Sequence, residues 1–558
     1  MEAAPQSQTT FARRLSACLP ALGCEGLRAL PLPQRNLCLA AALLLAGGLA
    51  LRLWLLGMLF QVNGDAQIYG GIAKNLLLHG SYALNGAGSE VYPTLIRLPG
   101  YPFFLAACFR LFGMENYWAA AVMQIGLELT GCLLLADFAR RIAPPRQQTA
   151  AALATLALAA LCPFTASYSA VPLTETPTLF AIALALWAAA GFRTRPGWSY
   201  ALTFTFAITF AALLRPDGAL LGVALAPALL VGLRHEPFIS PFAGRFSAPA
   251  LRFFPGARVG DPESQQSAKE ECRSQSDLRQ QRKFQVPHPF RNKRGKDGAR
   301  RLAEKAAFLR MGAICILLAL LPFALWGGRN WKVFHVVQPL APRYATDPGE
   351  DTHPGWIRWV KTWCLDFNCT SQIYWPVPGD RLEVSALPAR AFDSPRQQEE
   401  TAALAEEYNR SGMDLTPSLD GRFARLADAR ERAHPLRSHL LLPLGRMADM
   451  WLRPRTENLP IDLDWWVYKN HHRETVFAWF YVGLNAAFLL LGVGGLLLRP
   501  RLWPWLLLCI LLRCALLCTV EAPEARYTLE CFPMLFVWGG FFLSWVWTGR
   551  SKRKTAAV

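Results

Sequence analysis

GDAQIYGGIAKNLLLHG, residues 64–80, and YPTLIRLPGYPFFLAACFRLFG, residues 92–113, decide how this chain meets a membrane. After Asp65, the apolar residues Ile68, Ile72 and Leu76, with Ala73 and Leu77 beside them, recur at helical three-and-four spacing. The segment therefore reads as a short helix lying in the interface, opened by Asp65 and closed by Gly80. In the second stretch Pro99, Gly100 and Pro102 break the chain, and an aromatic-rich helix follows over Leu98–Phe112. It carries Arg110 and falls short of the roughly 20 apolar residues that cross a bilayer, so it too reads as in-plane.

Around these two segments the chain is oily. Of 558 residues, 53% are hydrophobic and 18% charged, against about 25% charged in soluble chains. Ten apolar runs read as spans: 37–60, 117–139, 149–166, 179–192, 200–214, 219–233, 307–326, 476–498, 503–520 and 529–547. The formal charge is +18, which in a soluble protein would suggest nucleic acid. Here it lies on alternate loops. The segment 234–305 holds 16 basic and 8 acidic residues, whereas 329–474 holds 19 basic and 20 acidic. Short loops bearing Arg140–Arg141, Arg193–Arg195 and Arg499–Arg501 fall on the same side as 234–305. By the positive-inside rule that side is cytoplasmic, with both termini, and no nucleic-acid partner is expected.

The expected layout is a cytoplasmic tail 1–35 and a membrane core 36–233 whose first outer loop, 61–116, is catalytic. A basic loop 234–306, disordered by composition, and a span 307–328 follow. An extracytoplasmic domain 329–475, spans over 476–548 and a basic tail 549–558 complete the chain. At 146 residues, the segment 329–474 is long enough for a small α-rich domain, with helical pieces at 397–409, 419–433 and 435–451. The loop 234–305 is too short for a nucleotide-binding domain and lacks GxGxxG and GxxxxGK[ST], which argues against cytosolic nucleotide chemistry.

Ionisable residues gather on the outer side. Asp65 opens the first in-plane helix and Arg97 precedes the second. Glu175 opens the fourth span, Arg215 and Asp217 join the fifth to the sixth, Arg329 ends the seventh, and Arg526 and Tyr527 open the last, near Glu521 and Glu524. Each has an ordinary reading as well: helix cap, interfacial anchor, first-turn acid, or ion pair in a turn. Together they form a constellation, and ionisable groups at membrane depth are costly and usually functional. Clustered guanidiniums bind phosphate bidentately. A nearby carboxylate removes a proton from a hydroxyl. Phosphate chemistry at lipid depth without a nucleotide points to a polyprenyl-phosphate-linked sugar, with arginines stabilising the departing phosphate. Tyr69 reads equally as a site residue or an interfacial aromatic.

The run Asp65, Tyr69, Ala73, Leu77, Gly80, then Arg97-Leu98-Pro99 and Leu111-Phe112-Gly113, resembles the first outer loop of GT-C glycosyltransferases, nearest to the protein O-mannosyltransferases and the aminoarabinose transferases of lipid A. The resemblance implies an all-α polytopic membrane fold with two in-plane helices in that loop, to which the apolar runs and the long outer segment add about ten spans and a small α-rich extracytoplasmic domain. It implies Asp65 as catalytic base, with Glu175 beside it in the catalytic set. Arg97, Arg215, Arg526 and, less directly, Arg329 would bind the donor phosphate, and Tyr69 and Tyr527 would contact substrate. No cofactor is required by this reading and no metal site is predicted, although some relatives use a divalent ion. The expected partners are a polyprenyl-phosphate-linked sugar donor, a lipid, glycan or protein acceptor, and membrane lipids. The expected activity is inverting sugar transfer. The rival readings are a lipid-linked sugar flippase, which needs the arginines but no base, and a glycan ligase. Two features depart from the family: Ala66 stands where many protein mannosyltransferases have Glu, and the outer domain has no recognisable counterpart.

Cys364 and Cys369 share the outer loop and read equally as a disulfide or as two thiols. A cysteine introduced into 234–305 is expected to resist impermeant thiol reagents in intact cells; labelling there would invert the topology.

Overall fold

The computed structural model describes residues 32–86, 90–232, 293–462 and 472–555. Residues 1–236 with 318–558 form one compact unit, and 237–317 form a second. The tail 1–35 and the basic loop 234–306 lie largely outside the described residues.

The chain opens with α1 (Leu32–Leu59), the short α2 (Asp65–His79) and a two-stranded hairpin, β1 (Ala83–Asn85) and β2 (Val91–Pro93). Then come α3 (Gly100–Phe112), α4 (Tyr117–Ile142), α5 (Gln148–Ala160), α6 (Pro163–Ser169), α7 (Glu175–Thr194), α8 (Trp198–Leu214) and α9 (Ala219–Gly232). After α10 (Lys293–Phe334) the loop domain contributes α11 (Pro354–Lys361), α12 (Pro395–Arg410), α13 (Pro417–Ala433) and α14 (Leu442–Leu452). The last helices are α15 (His472–Leu497), α16 (Trp503–Leu517) and α17 (Phe532–Thr555), the last preceded by a 3-10 turn over Ala525–Cys531.

This is an all-α polytopic membrane protein. Among the described residues, six helices are long and apolar enough to cross a bilayer: α1, α4, α7, α10, α15 and the turn with α17. The bent pair α5–α6, angled by 53°, makes a seventh if it counts as one span. The remaining three apolar runs, α8, α9 and α16, are helices of 14–17 residues. α10 begins inside the segment read as an irregular basic loop, because its Lys, Arg, Ala and Glu residues are good helix formers continuing a span. At its other end it runs to Phe334, so Arg329 lies within the helix rather than ending it.

Both first-loop segments form the short helices expected. Gly80 closes α2 in the left-handed conformation (φ 62°), which glycine adopts without steric penalty. The hairpin between them was not anticipated from sequence. It pairs Ala83 with Pro93, Leu84 with Tyr92 and Asn85 with Val91. Asn75 of α2 fixes it by donating to Ala83 O at 2.9 Å and Asn85 Oδ1 at 2.7 Å. At the start of α3, a Cβ on Gly100 would lie 2.7 Å from the Leu213 carbonyl. This close approach brings the chain just after Arg97 against the end of α8, and so towards Arg215.

Ion pairs also hold the bundle where sequence periodicity shows only apolar runs. Arg52 of α1 is fully buried; its Nε donates to Glu128 of α4 at 2.7 Å and its Nη1 to Ala160 O at 2.6 Å.

The loop domain has its own core of Trp356, Trp359, Trp363, Tyr408 and Phe423. Asp420 accepts from the N–H groups of Gly355 and Trp356, placing an anion at the N-terminus of α11. α12 and α13 start two residues before the expected limits because Ser394 and Thr416 cap them, with proline at the first helical position. Cys364 and Cys369 are paired, with Cα atoms 5.7 Å apart.

Asp449 of α14 lies 3.5 Å from Arg453, and its Oδ2 is buried without a hydrogen-bond partner. Burial outweighs Arg453 and pushes this carboxyl up to about 6. Because the folded value exceeds the unfolded one, stability falls as pH rises between about 4 and 6 and stays lower above that window. Asp449→Asn is expected to stabilise the protein by on the order of 2 kcal/mol at pH 8 and to leave it unchanged at pH 4, as read by thermal unfolding in detergent.

Candidate active site

Residues distant in sequence converge beside α2. Gly64, not Asp65, precedes the helix, and no side chain caps its N–H groups, so the capping reading of Asp65 is not realised. Its carboxylate faces arginines instead. Oδ1 accepts from Arg97 Nη2 at 2.6 Å and Oδ2 from Arg526 Nη2 at 3.4 Å. Burial alone would raise the Asp65 carboxyl, but Arg97 and then Arg526 outweigh it and hold it below its ordinary value. The group is therefore ionised at neutral pH. Its side chain keeps 31% of its surface exposed, against 3% for Glu175, so Asp65 is the more accessible carboxylate of this pair.

Glu175 opens α7 and sits between two arginines: its Oε1 is 3.2 Å from Arg215 Nη1 and 3.6 Å from Arg526 Nη1. Arg215 also pairs with Glu530 at 3.0 Å and Asp217 at 3.7 Å. Arg513 of α16 completes the set, bonding Asp217 and lying 2.5 Å from Glu530. Arg526 Nε lies 2.6 Å from Glu524, which also accepts from the Tyr527 hydroxyl. The Tyr527 ring lies under both Arg215 and Arg526, at 5.2 and 5.7 Å. Asp65, Arg97, Arg526, Glu175, Arg215, Glu530, Arg513 and Asp217 thus form one continuous ionic chain.

Tyr69 is buried, edge-on to Tyr101 at 5.0 Å and with Arg97 5.8 Å from its ring centre. Burial pushes its hydroxyl up to about 12, so it stays neutral and supports Arg97 from below.

Arg329 is not joined to this chain. Its Nη1 donates to Thr94 O and its Nη2 to Tyr82 O, both at 2.7 Å. It thus staples the base of the hairpin, stacked on Tyr82, Trp326 and Phe334. Tyr82 in turn donates to Arg97 O at 3.0 Å. Arg329 therefore reaches the site through the backbone that carries Arg97.

Sequence reasoning passed over Arg513 and Glu530, and treated Glu524 only as a neighbour. The signal was available: Arg513 and Glu530 are charges inside apolar runs. Among the described residues, no group of three His, Cys, Asp or Glu is placed to hold a metal ion.

Residues 96–251 match the family model of dolichyl-phosphate-mannose-protein mannosyltransferases. The match bears out the resemblance to GT-C glycosyltransferases read from the first loop. Among solved structures the chain matches ArnT from Cupriavidus metallidurans bound to undecaprenyl phosphate, at 14% identity over 91% of this chain and 77% of that one, with a TM-score of 0.32. No curated protein matches.

Arg513 is 6% exposed and neutralises two carboxylates, so Arg513→Met is expected to destabilise the protein by about 3–5 kcal/mol. Adding Glu530→Gln should recover part of the loss, because one uncompensated buried charge is removed. Thermal unfolding of the single and double variants measures both effects.

Proposed function

We propose that this chain is an inverting glycosyltransferase that moves a sugar from a polyprenyl-phosphate donor to a hydroxyl of a lipid, glycan or protein acceptor. The observation that carries the reading is the Asp65 carboxylate, ionised, accessible and held between Arg97 and Arg526 in an arginine-rich recess. The family match over 96–251 supports it. By the positive-inside rule the basic loops support cytoplasmic termini and a site that lies, with the loop domain, on the opposite side of the plasma (inner) membrane.

Asp65 takes the proton of the acceptor hydroxyl while its oxygen attacks the anomeric carbon. The bond from that carbon to the phosphate oxygen breaks, and the polyprenyl phosphate departs with the electron pair. Arg97, Arg215 and Arg526 hold the growing negative charge, in a setting where water is sparse and each guanidinium counts for more. In the resting state these same arginines neutralise Asp65 and Glu175. A phosphate that recruits Arg97 and Arg526 loosens their hold on Asp65, so its proton affinity rises when the donor is in place. Glu175 keeps Arg215 and Arg526 together, and Arg329 positions Arg97 through the hairpin.

Asp65→Asn preserves shape and removes the base. Glycan transfer by this variant is expected to fall by at least about a hundredfold, with binding of undecaprenyl phosphate retained. Wild-type transfer at normal expression would overturn the enzyme reading and favour a lipid-linked sugar flippase.

A further inference from the structure

The segment after α14, residues 453–462, has no role in the chemistry above. Arg455, buried and with φ of 60°, fastens it. Its guanidinium donates to Ala525 O at 2.8 Å and Thr528 Oγ1 at 2.6 Å, the residues that flank Arg526 and Tyr527. It also reaches Asn485 Oδ1 at 3.2 Å and stacks on Phe532 at 4.8 Å. Four residues on, Leu459 packs on the cluster of Leu55, Leu59, Ile125 and Ala166, at the chain's entrance to the first loop.

Between these anchors stand Glu457 and Asn458. Glu457 Oε1 and Asn458 Nδ2 are buried and make no hydrogen bond. An acceptor and a donor thus sit on adjacent residues, both unpartnered, although leaving such atoms unpaired is unfavourable. The charges acting on Glu457 are Arg455 and Arg453 of its own segment and, after them, Glu524, the partner of Arg526. The segment that carries the unpaired atoms is thus tied, through Arg455, to the turn that carries Arg526, one of the arginines assigned above to the phosphate.

Resting on that assignment, we infer that Glu457 and Asn458 form a sugar subsite, in which the carboxylate accepts from one ring hydroxyl and the amide donates to a neighbouring hydroxyl. A carboxylate and an amide on adjacent residues offer an acceptor and a donor, and vicinal hydroxyls both donate and accept. The tether to the turn of Arg526 favours the sugar of the donor, because that sugar is one bond from its phosphate. A site built to hydrogen-bond a hydroxyl discriminates strongly against ligands lacking it, since its own groups are then left unpaired. Glu457 and Asn458 are thus specificity-determining residues rather than catalytic ones.

The test uses the full-length protein in nanodiscs, with undecaprenyl phosphate, bare or carrying mannose, glucose or 4-amino-arabinose, as probes. Wild type is expected to bind at least one sugar-bearing lipid about tenfold more tightly than the bare one. Glu457→Gln and, independently, Asn458→Ala should each erase most of that preference and leave the affinity for bare undecaprenyl phosphate unchanged. Thermal unfolding establishes that each variant is folded, and the second keeps the test open should the first fail. A preference unchanged in both variants, or absent in wild type, overturns the subsite. If the preference survives and only transfer falls, the hydroxyls belong to the acceptor and the donor assignment is overturned. If wild type does not bind bare undecaprenyl phosphate, it is the phosphate reading that fails.

Discussion

Charges placed at membrane depth must neutralise one another, and this constraint organises the site. Arg215 lies among Glu175, Asp217 and Glu530, and Arg513 bridges the last two from another helix. An isolated charge in this setting costs several kcal/mol, so removing one partner leaves another exposed to the full desolvation penalty. The ends of α7, α8, α16 and the turn before α17 are therefore tied to one another by electrostatics as much as by apolar packing. The geometry of the candidate site and the stability of this end of the bundle are one problem for the protein.

The same constraint shapes the proposed reaction. Arginines ready to receive a phosphate cannot stay unpaired in its absence, and Asp65 and Glu175 occupy them. Asp65 is thus kept ionised and oriented in the resting protein at the expense of its basicity. Exchange of carboxylate for phosphate on the guanidiniums then couples donor binding to the strength of the base. Arg329 serves this arrangement at one remove. By gripping the carbonyls of Tyr82 and Thr94 it fixes the hairpin that delivers Arg97.

Much of this was legible along the chain. Periodicity and proline placement marked the two short helices of the first loop, because helical spacing and the length needed to cross a bilayer are local properties. Asp65, Arg97 and Arg215 were nominated from residue type and position, and the structure brings Asp65 to Arg97 and Arg215 to Glu175. The hairpin was missed because its strands have three residues each and no pattern at that length is distinctive. Arg513 and Glu530 were missed because an apolar run was read as uniformly apolar, although a charge within one is itself informative.

By itself the sequence determined the membrane class and the two short helices of the first loop, and it nominated an orientation and a candidate base with its first arginines. These depend on composition and short-range spacing, which the chain displays directly. Only the tertiary structure decided the pairing. Asp65 meets Arg97 across 32 residues and Arg526 across 461, and Arg513 meets Asp217 across 296. It also separated Arg329 from the arginines it resembles in sequence, and tied the segment of Glu457 and Asn458 to the turn that carries Arg526. Coulombic attraction acts through space, so the partner of a charge is set by how helices pack and not by its place in the chain.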